Sequence, residues 1–152
     1  MVRKMVFVPE GTALFFPIIN GVGINTPNVC GQGKKDLTVS EVGAMAADQI
    51  AGAANLSVTL DGVAITISPP VQSGVFAVAL PENNVFDSPC TVAGLGDVPA
   101  GIYSPAVGDG FYVLLGPLKK GKHTLHFHAE NASQNLTQDV TYNLTVVPVS
   151  LK

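Results

Sequence analysis

From residue 56 to residue 68, apolar and polar side chains alternate on both sides of Asp61-Gly62. Leu56, Val58 and Leu60 precede the pair, Val63, Ile65 and Ile67 follow it, and Ser57, Thr59, Ala64, Thr66 and Ser68 fill the positions between. A period of two sends successive side chains to opposite faces of a strand. Asp-Gly accepts the positive φ angles of a type I′ turn, whose twist matches that of flanking antiparallel strands. The segment is therefore expected to be a hairpin, and the chain to contain an antiparallel sheet.

The strand pattern recurs. Residues 5–8 (MVFV) and 12–19 (TALFFPII) are short apolar runs separated by Pro9-Glu10-Gly11, which suits two buried strands joined by a turn. Pro17 cannot donate to a ladder, so its part of the second run belongs at a sheet edge or a bulge. Residues 71–80, 111–118, 122–130 and 138–147 read as further strands, the last with Val140, Tyr142, Leu144 and Val146 on one face. Two segments rich in Gly, Pro and Asn, 20–37 and 81–110, read as long loops. One helix is expected at about 39–53, where Thr38 and Glu41 have capping-box spacing and Ala, Met, Glu and Gln follow without Pro. Such a set indicates an all-β fold, an antiparallel β-sandwich or jelly roll with one short helix. A parallel α/β fold needs a helix between most strands and is excluded. The length, 152 residues, suits a single domain, 1–152.

Charged residues make up only 12% of the chain, and the net charge is −3. No overall positive field exists to hold nucleic acid, so none is expected as a partner. Residues 36–118 carry eight acidic and no basic side chains, but no EF-hand-type calcium loop lies among them. So little charge leaves weak repulsion between copies, and a homo-oligomer is expected. No apolar run approaches the 18 or so residues of a membrane span.

Cys30 and Cys90 lie in predicted loops, and an even pair in an exported domain reads as a disulfide. Strand alternation puts His123, Leu125 and Phe127 on one face and Thr124, His126, His128 and Glu130 on the other. If Leu125 and Phe127 face the core, His126 and His128 stand side by side outside it. Imidazoles at i and i+2 suit copper or zinc, with Glu130 as an oxygen ligand. His123 reads as a half-buried residue bonding turn backbone.

The row His126-x-His128-x-Glu130 resembles the metal-binding strand of the cupins, which are jelly rolls. The cupin pattern sets its glutamate several residues further on and adds a distal histidine; this chain has no fourth His. Pro117-Leu118-x-x-Gly121-x-His123-Thr124-Leu125-x-Phe127, followed by Asp139-Val140-Thr141-Tyr142-x-Leu144-Thr145-Val146, resembles the last two strands of bacterial immunoglobulin-like extracellular modules. With LFFPIIN at 14–20 and DGFYVLL at 109–115, about half the chain resembles exported bacterial β-sandwich proteins of unassigned function. That resemblance implies a secreted or periplasmic location and supplies no catalytic residues. Met1 to Lys4 and the apolar residues after them look like the start of a leader, but Pro9 and Glu10 interrupt the run and no cleavage site follows, so the leader is expected to lie outside this sequence.

Two functional classes fit. The favoured one is an extracellular, non-catalytic module that binds a ligand or partner, carbohydrate or protein, or associates with itself; Tyr103, Phe111 and Tyr112 are the aromatic residues for a sugar platform. The alternative is a small copper- or zinc-dependent enzyme of cupin-like type centred on His126 and His128.

Overall fold

The computed structural model describes residues 2–149, and for residues 3–5 the backbone only. Met1 and the side chains of Arg3 and Lys4, read above as a leader-like start, lie outside that description. The protein is an all-β sandwich of two sheets, as the alternation implied. One sheet has the order β1 (Val2–Pro9), β9 (Leu136–Val147), β8 (Gly121–Asn131), β3 (Ala53–Leu60), β4 (Val63–Ala64). The other runs β2 (Leu14–Ile24), β7 (Gly101–Leu115), β5 (Val71–Gln72), with β6 (Phe76–Leu80) also paired to β7. The longer helices are α1 (Val39–Ile50) and a single short turn of helix, α2 (Asp87–Val92).

The residues fall into two compact units. The first comprises Met1–Asn20, Ile50–Val71 and Gly110–Lys152; the second comprises Gly21–Gln49 and Gln72–Asp109.

In the first unit, the Asp61-Gly62 turn forms as expected, with φ of 53° and 79° and Leu60 opposite Val63. Its second strand is only two residues long, although the Ile65 N–H still donates to the Val58 carbonyl. β8 and β9 pair antiparallel over their whole length, from Gly121 opposite Val146 to Asn131 opposite Leu136. β1 pairs with β9 in parallel and not with β2, so the turn after Pro9 passes from one sheet to the other. Buried and exposed residues alternate along both runs as far as Ile18, after which Ile19 is buried as well. Val8 and Ile18 are core residues, whereas Phe7 and Phe15 are 64% and 67% exposed. The expectation of two buried strands holds at Val8, Ile18 and Ile19 and is corrected at Phe7 and Phe15, which face outward. Val58, Leu125, Phe127, Leu144 and Val146 from one sheet pack against Ile18, Ile19, Val113 and Leu115 from the other. Pro17 lies on β2, an edge strand, as expected.

In the second unit, the capping box is formed. The Thr38 N–H donates to Glu41 Oε2 (2.7 Å) and the Glu41 N–H donates to Thr38 Oγ1 (3.2 Å). Lys35 and these Thr38 donors hold the Glu41 carboxyl down at about 2. The helix stops at Ile50, three residues short of the expected end.

Residues 20–24 are strand and not loop, because Gly21 and Gly23 are where α1 lies against β2. A Cβ on Gly21 would stand 2.6 Å from that of Gln49, and one on Gly23 would fall on the Val42 carbonyl. The Gln49 amide bonds both backbone groups of Val22, donating to its carbonyl at 2.8 Å, and so closes part of the open β2 edge. The true loop that follows is held by Asn25, which is 4% exposed. Its amide donates to Asp36 and to the Ser104 carbonyl and accepts from Gln32 and the Leu37 N–H.

The expected loop at 81–110 is also corrected. It contains α2, and β7 already begins at Gly101, running through Pro105, Gly108 and Gly110. Cys90 therefore sits on a helix rather than in a loop. Its sulfur is at disulfide distance from that of Cys30, with the Cα atoms 5.3 Å apart.

Candidate functional site

The predicted histidine row lies where the alternation puts it, on the outer face of the first unit. Leu125 and Phe127 are buried on the inner face, while the His126 and His128 side chains remain 34% and 23% exposed. Sequence reasoning missed the residue that joins them. Asp139 pairs directly with His128 across β8 and β9, and its two carboxylate oxygens meet His126 Nε2 (3.1 Å) and His128 Nδ1 (3.3 Å). His128 Nε2 faces Glu130 Oε1 at 3.1 Å, and Glu130 in turn accepts from the Asn55 amide on β3.

The bonds from His126 and then His128 lower the Asp139 pKa, and those from Asn55 and then His128 lower that of Glu130. His126, His128 and Glu130 are thus brought together, but in a line. Each ring nitrogen of His128 is turned to a carboxylate and would have to leave it to bind a metal. Among the described residues, no three His, Cys, Asp or Glu side chains are grouped to hold an ion. A carboxylate as exposed as that of Asp139 (61%) stays well solvated and its contacts add little stability, so the row is a modest clamp across β3, β8 and β9.

His123 is the more constrained imidazole, 15% exposed. Its Nδ1 faces Asp61 Oδ2 at 2.7 Å, and its Nε2 faces the Lys119 carbonyl at 2.8 Å. Both partners only accept, so a doubly protonated ring satisfies both contacts. The Asp61 hydrogen bond and then the Lys119 carbonyl raise the His123 pKa above 6.5, and the His123 bond and the Thr124 N–H lower that of Asp61 below 3.8. A raised folded-state pKa gives stability that is complete below about 6.5 and is lost as pH rises through the folded value. The lowered Asp61 value works oppositely, giving stability above about 3.8 that is lost as pH falls through the folded value. Urea denaturation of the wild type and of His123→Gln should therefore show a larger stability difference at pH 6 than at pH 9. A difference that is the same at both would contradict the pairing.

A second feature of the first unit was not foreseen. Where the edge strand β2 faces the inner surface of β1, β9 and β8, an apolar cleft of about 520 Å³ opens. Val8, Leu14, Phe16, Phe127, Tyr142 and Leu144 are among its lining residues, and Val6, Val140 and Gln138 complete its β1 and β9 sides. Phe16, Phe127 and Tyr142 form a continuous stack, with ring centroids 5.5 and 6.3 Å apart and planes 28° and 25° from parallel. Not one of the lining side chains is ionisable as an acid or base except the Tyr142 phenol.

The three aromatic residues named for a sugar platform have different surroundings. Phe111 packs against the core, Tyr112 stacks on Phe15 at 5.3 Å, and the Tyr103 hydroxyl donates to the Pro99 carbonyl. In the second unit, buried Asp109 has one carboxylate oxygen without a partner among the described residues and the other 3.4 Å from the Gln72 amide, which leaves it a lone acid. No helix among the described residues is long and apolar enough to cross a membrane. Compared with known proteins, the chain matches no family model, no curated protein and no solved structure.

Proposed function

We propose that the chain is a non-catalytic binding module that works outside the cytoplasm and takes its ligand in the apolar cleft of the first unit. The observation that carries this reading is the cleft itself. Its volume, about 520 Å³, lies within the range of roughly 300–1,000 Å³ of small-molecule sites, and its lining is mostly apolar with a few polar groups, as such sites are. Proton transfer and covalent catalysis need a titratable or nucleophilic group at the reacting atoms. Beyond the Tyr142 hydroxyl the lining offers none, which supports binding over catalysis. The Cys30–Cys90 pair suits an oxidising compartment.

Calorimetric titration with 1-naphthol and decan-1-ol tests this reading. At least one of the two should bind at about one per chain, and Val140→Phe, which fills the cleft, should weaken that binding at least tenfold while leaving the thermal midpoint unchanged or raised. Binding that Val140→Phe does not alter would contradict the assignment, as would no binding of either probe.

A further inference from the structure

The polarity and shape of the cleft narrow the ligand further, on the premise that it is a ligand site. Its thirteen lining residues include no Lys, Arg, His, Asp or Glu. A charged group carried into such a lining loses its hydration and finds no counter-ion, a cost that normally keeps the group in water or neutralises it. The buried part of the ligand is therefore uncharged.

The stacked rings of Phe16, Phe127 and Tyr142 tell against a purely aliphatic chain. Aromatic rings prefer offset stacking on one another and gain affinity beyond the area they bury. An alkyl chain gains only the burial. Gln138, an amide with both a donor and an acceptor, is available to one hydrogen-bonding substituent. We infer that the cleft takes a neutral, planar aromatic molecule bearing a hydroxyl, carbonyl or amide group.

Three probes of similar bulk test this on the full chain by titration calorimetry at pH 7: 1-naphthol, 1-naphthoate and decan-1-ol. The neutral ring should bind at least about tenfold more tightly than 1-naphthoate, and about twofold to tenfold more tightly than decan-1-ol. Phe16→Leu, which keeps an apolar side chain and removes one ring of the stack, should weaken 1-naphthol by about threefold to tenfold and decan-1-ol by less. Circular dichroism of Phe16→Leu checks that its fold is retained.

Naphthoate binding within threefold of naphthol would overturn the inference, as would tighter binding of decan-1-ol; either leaves the cleft a ligand site of another class. Binding of none of the three overturns both the inference and the reading beneath it. An apparent naphthol affinity that falls as protein concentration rises marks a second copy as the occupant, and also overturns it.

Discussion

Replacing Phe127 by Ala is expected to lower the folding free energy by about 3–5 kcal/mol, the usual cost of emptying a large buried aromatic site. Phe127 is 6% exposed, lies opposite Val140 in the β8–β9 ladder, and is the middle ring of the stack with Phe16 and Tyr142. Truncation removes two ring contacts at once and enlarges a cleft that the sandwich already leaves open. Phe15→Ala is the control. Phe15 also stacks, on Tyr112 at 5.3 Å, but it is 67% exposed, so its loss should cost less than about 1 kcal/mol. Chemical denaturation of both variants gives the comparison. Equal costs, or the larger cost at Phe15, would show that the inner and outer faces have been exchanged.

The second large effect belongs to the other unit. The Cys30–Cys90 link joins residues 60 apart in sequence, and in the chain-entropy model a closed loop of that length adds about 4 kcal/mol by restricting the unfolded chain. Cys90 is itself buried, at 2% exposure, on the short helix α2. The double variant Cys30→Ser, Cys90→Ser should lose stability of about that size, and the unreduced, denatured wild type should contain no thiol that alkylates. Two alkylatable thiols, or a double variant within about 1 kcal/mol of the wild type, would contradict the link.

What could be read from the sequence was whatever local chemistry decides. Asp61-Gly62 specifies its turn because few other dipeptides tolerate positive φ at both positions. Thr38 and Glu41 specify a helix start because each caps the other's backbone N–H. The two faces of β8 followed from alternation, which is why the positions of His126 and His128 agreed with it.

Misreadings arose where a residue's meaning depends on a distant neighbour. Gly21, Gly23 and Gly110 lie in segments that read as loop, yet at each of them another backbone passes close by. A Cβ on Gly110, for example, would stand 2.7 Å from that of Asn20. Parallel pairing of β1 with β9 leaves no mark on either strand taken alone. Asp139 was recoverable in principle: a tight connection at 132–135 between β8 and β9 sets the register that puts Asp139 opposite His128. The cleft had no such signal. Its walls come from residues 6–17, 125–127 and 138–144, and each of these alone reads as ordinary core.

Ligand entry between β2 and the inner face of β8 and β9 is what the proposed function requires. The most direct test is a ¹H–¹³C correlation spectrum of the methyl and aromatic groups, recorded as 1-naphthol is added. The account predicts that the largest shift changes fall on the Val6, Leu14, Val140 and Leu144 methyls and on the Phe16, Phe127 and Tyr142 rings, saturating together. Changes confined to the exposed Phe7 and Leu114, or none at the cleft up to the solubility of the probe, would contradict it.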